Sequence, residues 1–151
     1  MIPLSATGVD VKQVAKLLGG ERLIGGRVRS LAELGRAVER GLPKASLIAV
    51  VRAIYADPRR RRDLLHAVVP EATFKRRRER LNPAESEKTE RLARVTAQAI
   101  QVWGEAEAAR EFLTSPHPLL DGRKPIDAAT TDLGARQVEA ILVSIEHGLP
   151  V

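Results

Sequence analysis

The sequence predicts an all-α protein, a helical bundle built from short helices and one long one. Three observations carry that expectation. Apolar residues recur at helical offsets, most plainly at Val138, Ile141, Leu142 and Ile145. Start signals precede such stretches at Ser30, Asp57-Pro58 and Asn82-Pro83, and glycine or proline closes most of them. No two stretches alternate in the way that paired strands require.

In chain order, residues 9–18 place Val11, Val14, Ala15, Leu17 and Leu18 on one helical face, and Gly19-Gly20 ends it. Arg22-Leu23-Ile24 reads as a short extended piece between glycine pairs. Ser30 and Glu33 have capping-box spacing, which opens a helix running to about Arg40 and stopped by Gly41 and Pro43. Residues 45–55 repeat the apolar period at Leu47, Ile48, Val50, Val51 and Ile54. Asp57-Pro58 supplies an N-cap and a first-turn proline for a helix to about Ala67. A further helix is expected from Pro70 to about Arg80.

Asn82-Pro83-Ala84-Glu85 opens the longest helix, about 83–103, with Leu92, Val95, Ala99, Val102 and Trp103 inward. Trp103 is expected in the core, closing that helix against Phe112. After Gly104 comes a short helix, 105–113, with Ala106, Ala109, Phe112 and Leu113 inside, then an ordered proline-rich loop from 116 to 125. The last helix, about 132–147, is stopped by Gly148 and Pro150.

Aromatic residues make up only 3% of the 151, so Ala, Leu, Val and Ile must fill the core. The absence of cysteine excludes disulfides and thiolate metal sites and fits a reducing cytoplasm. No apolar run approaches the ~18 residues of a membrane span, and the N-terminus lacks a signal-peptide core. A soluble, cytoplasmic protein with no membrane association is expected. The charge is unevenly placed: residues 44–82 hold 11 Lys/Arg against 4 Asp/Glu, whereas residues 83–151 hold 7 against 11. The basic middle suits a polyanion and the acidic C-terminal part suits a different partner.

Nothing in the sequence looks catalytic. The glycine pairs around residues 21–24 lack the Gly-Lys-Ser/Thr of a phosphate loop, since Gly26 is followed by Arg27-Val28. His66, His117 and His147 are dispersed, and Glu146-His147 lacks the second histidine of a zinc helix. No metal ligand, cofactor or catalytic residue is expected.

The basic run from Phe74 to Arg80 is the strongest compositional feature. On a helix starting at Pro70, Thr73, Arg76, Arg77 and Arg80 share a face that fits a major groove, with Phe74 and Leu81 turned to the core. Guanidinium groups grip phosphates and pair with the acceptor edge of guanine. Arg59-Arg60-Arg61-Arg62 crowds the start of the preceding helix, where each charge opposes the helix dipole by ~0.3 kcal/mol or more. A phosphate backbone alongside would offset that. In isolation such a run is a solvated surface; inside a helix–turn–helix pattern it reads as DNA-binding, with Arg59, Arg60, Thr73, Lys75, Arg76, Arg77 and Arg80 as contacts.

Two C-terminal motifs are more specific together than singly: residues 116–125, Pro-His-Pro-Leu-Leu-Asp-Gly-Arg-Lys-Pro, then Gly134-Ala135-Arg136-Gln137-Val138. The chain closes on Ile145-Glu146-His147-Gly148-Leu149-Pro150-Val151. In that order they resemble the toxin-binding domain of the Xre/MbcA/ParS antitoxins, partners of RES-domain toxins. Gly41-Leu42-Pro43-Lys44-Ala45-Ser46-Leu47 resembles the junction those antitoxins carry before an Xre-like helix–turn–helix.

The resemblance implies an N-terminal helical segment (1–43) with a candidate role in dimerisation, a DNA-binding domain (44–82) and a toxin-binding domain (83–151). It implies an antitoxin that occludes the active site of an NAD-consuming or ADP-ribosylating toxin with its C-terminal segment and binds its own promoter as a dimer. The matched tail positions are Ile145, His147, Gly148, Leu149, Pro150 and Val151. Arg123 and Lys124 are candidates to assist, although Asp121-Gly122-Arg123 reads equally as a structural turn. Where the family turn holds a glycine and then a small polar cap, this chain has Val68 and Pro70, so a tighter, helical or differently shaped turn is expected. The alternative is a stand-alone helix–turn–helix regulator without a toxin; a scaffold whose basic face is merely solvated stands further off.

Overall fold

Local signals set most of the helix boundaries in the computed structural model, which describes residues 9–149. In order come α1 (Val11–Leu17), α2 (Gly20–Ile24), α3 (Leu31–Arg40), α4 (Lys44–Ile54), α5 (Pro58–Val68) and α6 (Glu71–Arg76). There follow α7 (Pro83–Trp103), α8 (Ala106–Leu113), a 3-10 turn at Pro118–Leu120, α9 (Pro125–Ala128) and α10 (Asp132–Glu146). Among the described residues there is no strand, only one isolated antiparallel bridge between Pro43 and Arg80. The fold is all-α, as the sequence predicts.

The long helix α7 organises the rest. Its start is a complete capping box: Asn82 Oδ1 accepts from Glu85 N at 2.7 Å and Glu85 Oε1 accepts from Asn82 N at 2.9 Å. Its end is Gly104, whose φ of 84° sits in the left-handed region. Between these, α7 packs against α1, α3, α4, α8 and α10. Leu92, Ala93, Val95, Ala97 and Ala99 are buried there, and a buried leucine contributes ~1.5–3 kcal/mol.

Buried polar groups are used as ties. Ser86 Oγ accepts from Leu42 N at 2.7 Å, and Ser46 Oγ donates to Leu18 O at 2.7 Å, linking the N-terminal helices to each other and to α7. On α7, Thr89 and Thr96 donate back to Glu85 O and Leu92 O.

Four sequence expectations need correction. Residues 22–24 are not extended; they lie in α2, bounded by Gly19 and Gly25 at φ of 102° and 89°. No strand is at hand to take extended backbone, so the amides bond locally, Gly25 N to Glu21 O at 2.8 Å, and Ile24 turns into the core. The Ser30 box is shifted: Ser30 Oγ accepts from Glu33 N, but Glu33 takes the amide of Arg29.

The helix expected over 70–80 stops at Arg76. Leu81 must enter the core, where it is 2% exposed, and an uninterrupted helix would not deliver it there. Instead the chain runs extended beside residues 42–44, with Lys44 N bonded to Glu79 O at 2.7 Å and Leu81 N to Leu42 O at 2.8 Å. Finally, Trp103 packs on Phe112 but is 41% exposed, and Ala106 is exposed as well. The left-handed turn at Gly104 ends α7 before its last turn is covered.

Candidate nucleic-acid and partner interfaces

The turn between α5 and α6 is built without glycine. Val68 is still helical, Val69 is extended at φ −133° and ψ 114°, and Pro70 follows at φ −52° and ψ 148°. His66 stabilises this path through Nδ1, which lies 3.0 Å from Val69 O, and its ring meets the Phe74 ring edge-on. Because a carbonyl only accepts, Nδ1 carries the proton in that bond.

The structure sorts the arginines into two groups. At the start of α5, Asp57 caps through Arg59 N at 3.1 Å, leaving the Arg59 side chain exposed. Arg60 is exposed and 3.7 Å from Asp57, and Arg61 Nε donates to Tyr55 O at 2.5 Å. On α6, Arg76 is exposed, Lys75 is exposed and 3.3 Å from Glu71, and Thr73 is half-buried.

Arg77 and Arg80 are differently placed. Arg77 donates through Nε and Nη2 to the two oxygens of Glu85, both at 3.0 Å. Arg80 Nη1 donates to Gly41 O at 2.6 Å. Thr73, Arg76, Arg77 and Arg80 therefore do not share one helical face, because α6 ends before the last two. Burial pushes the Glu85 carboxyl up, but bonds from Arg77 and Asn82, with the charges of Arg77 and Lys88, outweigh it and hold it below its usual value. Hydrogen bonding to Glu85 in turn raises Arg77.

At the C-terminal end, α10 finishes in a paired turn: Gly148 N bonds to Ile145 O at 3.0 Å and Leu149 N to Ser144 O at 2.8 Å. Gly148 has φ of 71°, in the left-handed region, and Leu149 projects outward, 56% exposed. Ile145 is half-buried and His147 exposed. Pro150 and Val151 lie outside the described residues.

Arg123 and Lys124 lie between the 3-10 turn and α9. Asp121 and Gly122 have φ of 56° and 78°, and His117 N bonds Arg123 O at 3.0 Å, which makes this stretch a tied turn. Arg123 Nη2 donates to Asp127 O at 3.1 Å. Lys124 Nζ lies 5.9 Å from the Tyr55 ring centre and lines a cleft with Arg59 and Arg60, whereas Ile145 lines a separate groove with Trp103 and Phe112. Burial raises the Tyr55 hydroxyl, with a further push from Asp127.

No helix among the described residues is long and apolar enough to cross a membrane. Nor do three or more of their His, Cys, Asp and Glu side chains gather as metal ligands. The groove around Trp103 escaped sequence reasoning; the one available signal was a tryptophan next to the glycine that ends its helix.

Comparison with known proteins bears on residues 33–148. Residues 33–94 match the antitoxin Xre-like helix-turn-helix domain, and residues 98–148 match the antitoxin Xre/MbcA/ParS C-terminal toxin-binding domain. The chain is 37% identical over 84 residues to an Antitoxin Xre of Pseudomonas putida, a match that covers 54% of this chain and 53% of that protein. The chain thus spans about half the length of the curated relative it matches. With a helix-turn-helix followed by the C-terminal domain on an all-α fold, it belongs to the Xre/MbcA/ParS-type antitoxins.

Proposed function

We propose that this chain neutralises a RES-domain toxin, an enzyme that consumes NAD or transfers ADP-ribose from it, and binds its own promoter. The C-terminal segment, residues 145–151, enters the toxin's active-site cleft and blocks it without chemistry of its own. The end of α10 carries this reading. Its final turn is closed by two backbone bonds and leaves Leu149 exposed, so that apolar side chain is presented with little backbone ordering left to be done on binding.

DNA binding falls to α5 and α6, through Arg59, Arg60, Lys75 and Arg76. These four are exposed at or near helix ends, where they can meet phosphates. The working form is a cytoplasmic homodimer reading paired half-sites about one helical turn apart. Residues 1–43 are the candidate dimerisation segment, while 44–82 serve the operator and 83–151 the toxin.

Growth rescue tests the toxin reading. The neighbouring reading frame is induced alone, with the full chain, and with a 1–146 truncation. Arrest relieved by the full chain and not by the truncation supports occlusion by the tail. No arrest, or no rescue by either form, favours a stand-alone regulator. Operator binding is tested by titration at rising salt, where affinity should fall steeply as counterions are released.

A further inference from the structure

The chain has four Phe, Tyr and Trp residues, and two of them line a surface groove. Trp103, at the end of α7, faces Phe112 of α8 with ring centres 6.0 Å apart and planes tilted by 39°. Phe112 in turn meets the His117 ring edge-on at 6.0 Å. Ala108 and Ile145 complete the apolar walls of a groove of about 420 Å³, and Glu111 stands at its edge. In a protein this poor in aromatics, rings are expected in the core. Here the one tryptophan is 41% exposed while aliphatic residues fill most of the interior.

We propose that this groove is the anchor site for the toxin, taking an apolar side chain that projects from a basic surround. This rests on the reading that the chain binds a toxin at all. Three observations support it. Exposed aromatic side chains that already hold one another in place lose little freedom on binding, and Trp is enriched among residues that dominate interfaces. Ile145 belongs both to the groove and to the last turn of α10, from which Leu149 projects, so anchor and tail form one surface.

The third observation is charge. Glu111 lines the groove and is exposed, as is Glu146 next to Ile145 at the end of α10, whereas Glu107 is offset by its pair with Arg110. A basic partner is attracted. A second copy of the same groove would bring like charges together, so self-association through it is disfavoured.

The test uses the full chain and the purified product of the neighbouring gene. Labelling this chain alone with 5-fluorotryptophan gives one fluorine resonance, because Trp103 is its single tryptophan. The resonance should move on adding toxin. Trp103→Ser should weaken the complex by about 30-fold, the scale of an interface hot spot. Its circular dichroism should match the wild type, since the side chain is partly exposed. Glu111→Lys, an exposed change that spares the rings, should also weaken it.

A complex of unchanged affinity in both variants, with an unmoved resonance, would overturn the anchor site while leaving toxin binding standing. Failure of the wild-type chain to bind would instead remove the toxin reading and the anchor with it. Loss of self-association in Trp103→Ser, with toxin binding intact, would assign the groove to a second copy and overturn the proposal.

Discussion

Arg77 and Glu85 are joined by two hydrogen bonds of 3.0 Å, one to each carboxylate oxygen, and Glu85 at the same time closes the capping box of Asn82. One acidic residue therefore fastens the segment that follows α6 to the first turn of α7. The backbone carbonyl of Arg77 also accepts from Lys44 Nζ at 3.0 Å, and that ammonium lies 4.3 Å from the Phe74 ring centre. An arginine in the middle of a basic run is thus a structural part.

Arg76→Ala and Arg77→Ala should separate binding from folding. Arg76→Ala is expected to keep its melting temperature, to weaken operator binding, and to reduce the salt slope by about one charge. Arg77→Ala is expected to lower the melting temperature, because Glu85 loses its partner in a place that is already largely enclosed. Thermal melts and fluorescence anisotropy at several salt concentrations read the two effects. Equal melting temperatures would remove the structural role of Arg77.

Glu85 and Glu90 should give opposite pH dependences. The folded state holds the Glu85 carboxyl below its usual 4.5, so its contribution is present above that value and is lost as pH falls through the depressed one. Glu85→Gln should therefore cost stability at pH 7 and little in strong acid. Glu90 is raised from 4.5, chiefly by burial, with Arg94 opposing and Glu139 reinforcing the shift. Its charged form is disfavoured in the fold, so stability declines as pH rises from 4.5 through the raised value. Glu90→Gln should melt higher than wild type at pH 7.5, the gap closing toward pH 4.5.

Gly134→Ala should be destabilising although alanine is the better helix former. A Cβ at Gly134 would stand 1.8 Å from Ala128 O, and that backbone is held where α9 turns into α10. Relief requires a backbone shift, with a cost of about 1–3 kcal/mol. A chemical denaturation curve checks it; a gain of stability would mean that the approach of α9 and α10 is not tight.

Asn82→Ala should remove one half of the capping box and cost about 1 kcal/mol. Asn82→Asp should retain most of it, since a carboxylate oxygen accepts from Glu85 N as the amide oxygen does. The comparison of the two melting curves isolates the cap from the side chain's bulk.

The sequence by itself determined the helices and most of their limits. Asn82, Asp57 and Ser30 act on amides two or three residues away, and Gly104 and Gly148 reverse the chain through their own backbone angles. Such signals are local, so they survive without knowledge of the fold. The tertiary structure alone decided which arginines face solvent. Arg76 and Arg77 are neighbours of the same type, yet Glu85, eight residues on, takes one of them and leaves the other. It also decided that α6 ends at Arg76, because the burial of Leu81 and the pairing with residues 42–44 outweigh helical continuation. Trp103 shows the same limit from the other direction. Helical period places it on the inward stripe, but whether anything covers that last turn depends on where α8 and α10 lie, and they leave a groove.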